Sequence, residues 1–289
     1  MIEFSLNGQS AGYEGDLMRS LLHHLREDRG LLSVKDGCSG QATCGACLVE
    51  LDGRPALACA TPMEKIADKA VVTLEGFPEE VRRTLGRAFV AQGAVQCGFC
   101  TPGILTRAKL LLEKNPAPSR AEAAKAIRGH LCRCTGYVKI IDAILLAAEA
   151  LRAGREVAWE NRTGIGVSSP KVDAYEKAIG KSPFVDDLRF DGMLHGALRF
   201  SDHPRARVLA IDAAPAEAIP GVIRVFTTAD VPGERFQGLK VPDWPIFVAP
   251  GEVTRCIGDV LCGVVAETDD LARRAAAAVR VDYEVLAPL

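Results

Sequence analysis

Apolar and polar residues alternate over Ile2–Leu6, Asn7-Gly8 supplies a two-residue turn, and a second extended stretch runs toward Tyr13, so the chain is predicted to open with a β-hairpin. The spacing then becomes helical: Leu17, Met18, Leu21, Leu22 and Leu25 form one stripe, with Asp16 placed to cap it and Gly30 just past its end. Leu48–Leu51, the Asp52-Gly53 turn and Pro55–Cys59 read as a second hairpin, and Val71–Leu74 as a further strand. From Pro78 onward helical periodicity takes over, predicting a small bundle of helices at about 79–92, 102–114, 119–129 and 138–152. Thr101-Pro102 is a cap followed by a first-turn proline, and Ser119 with Glu122 is a capping box.

Residues 154–170 are polar, hold several glycines and serines, and lack periodicity, which predicts a linker. Beyond it, strand-like runs at Val208–Ile211, Val222–Thr227 and Val260–Ala266 mix with an alanine-rich helix at about 269–279 and a last strand at Arg280–Val285. An α/β region is expected over 171–289. The last strand leaves little sequence after it, so completion of this region by another chain is expected.

A length of 289 residues with 48% hydrophobic content accommodates two or three domains, each with its own core. The 35 basic and 37 acidic residues are dispersed, which argues against nucleic acid or an anionic membrane and points to a protein partner. The N-terminus has neither the basic nor the apolar segment that export requires, and no run reaches transmembrane length. A cytoplasmic location is therefore expected, where ten cysteines are metal ligands or redox groups rather than disulfides.

Eight of those cysteines fall into two quartets. Cys38, Cys44, Cys47 and Cys59 form C-x5-C-x2-C-x11-C with Gly37, Gly40 and Gly45 interleaved. Glycine permits the positive φ angles and the bare backbone that bring N–H groups close to cluster sulfurs. The Asp52-Gly53 turn would place Cys59 roughly across from Cys47. The spacing is one residue longer in its first gap than the plant-type [2Fe-2S] pattern, while zinc quartets usually come as two C-x2-C pairs. Cys97, Cys100, Cys132 and Cys134 form C-x2-C-x31-C-x-C, at the ends of predicted helices whose N-terminal dipoles favour anionic sulfur. By spacing alone this second quartet also accepts zinc.

QCGFCTPG with LCRCTGY, preceded by GCSGQATCGAC, resembles the iron–sulfur subunit or domain of the molybdenum hydroxylases, the xanthine dehydrogenase and aldehyde oxidoreductase family. The resemblance implies an α+β chain: a β-grasp 2Fe-2S ferredoxin domain over residues 1–76, a four-helix 2Fe-2S bundle domain over 77–153, and, after the linker, a partial α/β hammerhead-like domain. In this third region VDAYEKAIGKSPFVDDL, GMLHGALRFSDHPRARV, IPGVIRVFTTADVPG and RCIGDVLCGVVAET are similar to the opening of the family's molybdenum-binding subunit. The family's catalytic machinery lies beyond the matched part, so the resemblance implies no catalytic residue here.

What it implies instead is an electron relay. The second quartet would lie next to the molybdopterin cofactor, with Gln96 and Cys134 contacting it, and the first would pass electrons outward. The partner would be a large molybdenum-binding catalytic subunit, with any FAD on another chain. A purine-like heterocycle is the first expected substrate and an aldehyde the second. GCSGQATCGAC, TRCIGDVLC and the lack of a flavin domain are most similar to the selenium-dependent xanthine dehydrogenase branch. The competing readings are a zinc-binding scaffold and a free-standing ferredoxin-like carrier.

Other candidates have plainer roles. Cys256 and Cys262 lie in or beside an apolar strand, as packing residues do. His23, His24, His130, His195 and His203 lack metal-binding spacing. Gly164-Ile-Gly166 follows no strand and opens no helix, so it is linker. Trp159 and Trp244 are expected in irregular segments, anchoring a linker or a subunit contact.

Overall fold

In the computed structural model, which describes residues 1–159 and 163–288, the chain divides into two units, Met1–Leu188 and Arg189–Leu289. In the first, β1 (Ile2–Leu6) and β2 (Gln9–Tyr13) form the opening hairpin, with Asn7 and Gly8 at positive φ in its turn. The predicted helix is shorter than its stripe. Ser20, not Asp16, caps α1 (Leu21–His23), which continues as a π-helical turn through Asp28. Leu17 and Met18 are exposed, because the backbone of residues 17–19 bonds to residues 63 and 64 and is unavailable for a helix.

The second hairpin joins β3 (Leu48–Leu51) to β4 (Arg54–Leu57), and β5 (Ala70–Val72) completes a sheet of order β2-β1-β5-β3-β4 in which β1 and β5 run parallel. Phe4, Leu21, Leu25, Val49, Met63 and Ile66 pack together beneath it.

The four bundle helices are α2 (Glu79–Ala91), α3 (Thr101–Lys114), α4 (Arg120–Ala126) and α5 (Val138–Ala153). The expected capping box at Ser119 and Glu122 forms, but α4 ends three residues early. Phe89, Leu85, Ile104, Leu105, Ile140 and Ile144 are fully buried between these helices. The start of the predicted linker is docked here: Val157 is buried, its carbonyl accepts from Arg87, and Arg87 stacks on Trp159 at 4.5 Å. Part of that linker, residues 160–162, lies outside the described residues. A short helix, α6 (Ala174–Ala178), still belongs to this unit.

The second unit contains β6 (His195–Phe200), β7 (Ala206–Asp212), α7 (Ala214–Glu217) and β8 (Val222–Phe226). It continues with β9 (Phe236–Gln237), β10 (Trp244–Pro245), β11 (Val260–Ala266), α8 (Asp269–Ala278) and β12 (Arg280–Val285). β11 is the centre of an antiparallel sheet of order β6-β11-β8, on which α8 packs Ala275 and Ala276. β12 pairs with β7, and Trp244, expected in an irregular segment, pairs with Gln237. Cys262 is fully buried in β11, where burial pushes its thiol up to about 11, so it is a packing residue as expected. Among the described residues no helix is long and apolar enough to cross a membrane.

Candidate metal centres

The first cysteine loop is a run of tight turns. Gly40 and Gly45 take the positive φ their motif predicted, but Ser39 and Ala42 do so too. Gly37 serves by its bareness: a Cβ there would lie 3.0 Å from Cys44 Sγ and 3.1 Å from the Phe99 ring. Cys59 is not on a strand. It sits in a 3-10 turn, Ala58–Ala60, directly after β4, and the Ala58 N–H bonds to the Cys47 carbonyl at 3.1 Å. The hairpin therefore brings Cys59 beside Cys47, as its turn predicted.

These thiols associate two by two. The backbone N–H of Thr43, against a small opposing effect of burial and with help from Cys44, holds Cys38 down to about 6. Cys44, buried and within hydrogen-bonding reach of Cys38, is pushed up. Burial, followed by the neighbouring Cys59, pushes Cys47 up to about 12. The pairs are Cys38 with Cys44, and Cys47 with Cys59.

The second quartet repeats the pattern. Cys97 and Cys100 flank Gly98, at φ 82°, and α3 starts directly after Cys100 with Pro102 in its first turn. Cys134 Sγ lies 3.5 Å from Cys97 Sγ, and Cys100 is pushed up by burial and by Cys132 beside it. Thr135 and Tyr137 shape the other loop. The Thr135 hydroxyl is 3.1 Å from Cys132 Sγ, and the Tyr137 phenol accepts the Cys132 N–H at 2.8 Å while donating to the His130 carbonyl. Burial works against the Cys132 thiolate, but these Thr135 and backbone hydrogen bonds bring its pKa below the ordinary range.

Among the described residues no three His, Cys, Asp or Glu side chains converge at the spacing of a single metal ion. A tetrahedral zinc with bonds of about 2.3 Å would hold all four sulfurs within about 4 Å of one another. Two thiols at each end of a two-iron cluster is a better match to the pairing, and the bare glycine backbone leaves room for inorganic sulfide. The residues present therefore fit [2Fe-2S] groups.

Exposure distinguishes the two centres. Cys44, Cys47, Cys100 and Cys132 are buried, Cys38 and Cys59 half-buried, and Cys97 and Cys134 exposed, with Gln96 exposed beside Cys97. The two loops are also locked together: the Leu131 N–H bonds to the Cys44 carbonyl at 2.9 Å, and a Cβ on Gly103 would lie 2.6 Å from the Gly45 carbonyl oxygen. His130, at this contact, is buried with neither ring nitrogen hydrogen-bonded, and burial, with Arg107 nearby, pushes it down to about 4. It is a neutral packing residue. Thr135 and Tyr137 both sit in the LCRCTGY motif, but their residue types and spacing do not announce these roles.

Three family models match: a 2Fe-2S iron-sulfur cluster binding domain over residues 4–68, a [2Fe-2S] binding domain over 73–145, and the aldehyde oxidase and xanthine dehydrogenase a/b hammerhead domain over 179–287. The chain is 44% identical over 149 residues to the nicotinate dehydrogenase small FeS subunit of Eubacterium barkeri, covering 51% of this chain and 94% of that protein. It is 35% identical to the aldehyde oxidoreductase of Megalodesulfovibrio gigas over 98% of this chain and 33% of the relative. The crystal structure of the aldehyde oxidoreductase from Desulfovibrio desulfuricans superposes with a TM-score of 0.87 at 34% identity, over 99% of this chain and 34% of that one. This chain thus spans about a third of those aldehyde oxidoreductases. It belongs to the molybdenum hydroxylase family, of the aldehyde oxidoreductase and xanthine dehydrogenase type, with two 2Fe-2S domains fused to the opening domain of a molybdenum subunit.

Proposed function

We propose that this chain is the electron relay of a molybdenum hydroxylase. Cys97, Cys100, Cys132 and Cys134 hold the cluster nearer the molybdopterin, and Cys38, Cys44, Cys47 and Cys59 hold the cluster nearer the acceptor. The observation that carries this is the assembly of eight cysteines into four thiol pairs on one unit, with a single exposed edge at Cys97 and Cys134. When bound, each cluster supplies a one-electron site whose potential depends on hydrogen bonds to sulfur and on exposure. The Thr43 and Cys44 amides and the Thr135 hydroxyl provide those bonds, and the buried cysteines keep water from the inner sulfurs. Gln96 and Cys134, exposed together, are the contacts offered to the pterin.

The molybdopterin and the residues that act on substrate belong to a molybdenum-carrying portion, on this or another polypeptide, and any FAD to a separate chain. We set the domain limits at 1–76, 77–153 and 171–289 with 154–170 as linker, although residues 171–188 pack with the first unit. The substrate is a purine-like heterocycle or an aldehyde; the likeness of nearly all of this chain to about a third of the aldehyde oxidoreductases favours testing aldehydes beside purines. Placement beside the selenium-dependent xanthine dehydrogenases rests on GCSGQATCGAC and TRCIGDVLC, and selenium analysis of the purified complex tests it.

In the complete complex, Cys44→Ser should remove the signal of the acceptor-side cluster and stop delivery to the acceptor, while substrate still reduces molybdenum. Cys134→Ser should disturb the other cluster and the molybdenum signal together. Unchanged delivery in the first variant, or an undisturbed molybdenum signal in the second, contradicts the assignment.

A further inference from the structure

Residues 171–188 belong to the first unit, although the helical-domain model ends at residue 145 and the hammerhead model begins at 179. The segment packs against the QCGFC loop and against residues 33 and 35, just before the first cysteine loop. Its Ile179 and Tyr175 close on α2 so tightly that a Cβ on Gly86 would lie 2.9 and 3.0 Å from them. Lys177 covers Gly98 in the QCGFC loop, where a Cβ would come within 2.7 Å of the lysine's own Cβ. Farther on, Phe184 meets Phe99 edge-on at 5.3 Å, and the Lys35 ammonium lies 4.8 Å from the Phe184 ring.

Phe99 is where the two quartets meet. It stands between Cys97 and Cys100 in sequence, and its ring touches the bare face of Gly37 beside Cys44 Sγ. The segment is anchored beyond Phe184 by Asp187, whose carboxylate accepts from Arg26 at 2.6 Å, from Lys35 at 2.7 Å and from the Phe184 N–H at 2.9 Å. Arg26, Lys35 and Asp187 side chains are only 8%, 2% and 2% exposed. Without Asp187 two cations would be left nearly buried, one of them three residues before Cys38.

We propose that residues 171–188 form a clamp that sets the spacing of the two clusters. Asp187 fastens it to the first domain, and Phe184 holds Phe99 against Gly37, which fixes the distance over which electrons cross between the quartets. Phe184 and Asp187 are thus positioning residues. This rests on the relay reading above.

The test uses the full chain with its clusters, in three variants: Asp187→Asn, Phe184→Leu and the conservative Asp187→Glu. The readouts are the magnetic interaction between the two reduced clusters in low-temperature electron paramagnetic resonance, and hydrogen exchange in residues 33–38 and 96–100. Asp187→Asn and Phe184→Leu should change or lose the splitting and speed exchange in both loops, with each cluster's own intensity retained, and Asp187→Glu should largely restore both. Should Asp187→Asn fail to fold, Phe184→Leu carries the test. A lower melting temperature with unaltered splitting and loop exchange would overturn the clamp, leaving only a stabilising contact. Should the wild type lack two cluster signals, the relay fails, and the clamp is then judged by whether loop exchange rises in Asp187→Asn and Phe184→Leu.

Discussion

Replacing Gly45 by alanine tests whether the two iron–sulfur domains are locked through their backbones. Gly45 lies at φ 73°, and a Cβ added there would sit 2.4 Å from the Gly129 carbonyl oxygen and 3.0 Å from the His130 ring. The left-handed conformation costs an L-residue about 1–2 kcal/mol. The clash adds about 1–3 kcal/mol, because the opposing atom is backbone and must move with its loop. Gly40→Ala is the control, since Gly40 has φ 78° and no atom within 4 Å of the added carbon. It should lose only the conformational part, about 1–2 kcal/mol. Thermal unfolding of the cluster-loaded protein, followed by circular dichroism and by visible absorbance, measures both. At about 2–4 °C per kcal/mol for a chain above 150 residues, the difference between the variants is resolvable. Equal losses in the two variants would refute the close backbone contact.

Two further outcomes follow from the electrostatics. In cluster-free protein, alkylation mapped by mass spectrometry should modify Cys38 with a midpoint near pH 6 and Cys47 only near pH 12, and equal rates at neutral pH would contradict the Thr43 hydrogen bond. Burial works against the Asp187 carboxylate, but the Lys35, Phe184 and Arg26 hydrogen bonds hold it down to about 2, from 3.8. The stability it contributes is complete above the unfolded value and is lost as pH falls from about 4 to about 2. Wild type should therefore lose about 1 kcal/mol more than Asp187→Asn between pH 6 and pH 3 in urea unfolding, and parallel losses would contradict the pairing.

Local signals were legible and long-range ones were not. β11 and β12 have the predicted limits, and the bundle helices α2, α3 and α5 begin and end within a residue of theirs, because caps and periodicity act over one or two turns. The quartets were readable because three ligands of the first, and both halves of the second, come from short loops. Asp16 lost the cap to Ser20 because residues 17–19 are claimed by residues 63 and 64, more than forty positions away. Asp187 lies in VDAYEKAIGKSPFVDDL, which by its resemblance belongs to the third region, and its partner Lys35 is 152 residues distant, a pairing no spacing rule reaches. Ser39 and Ala42 take left-handed conformations that their residue types do not announce.

The central claim, two [2Fe-2S] clusters held by two cysteine quartets, is tested most directly on the purified chain. The measurement is low-temperature electron paramagnetic resonance after dithionite reduction, with iron, sulfide and zinc analysis of the same sample. The account predicts two distinct reduced-cluster signals with about four irons and four sulfides per chain. Stoichiometric zinc with no signal would contradict it.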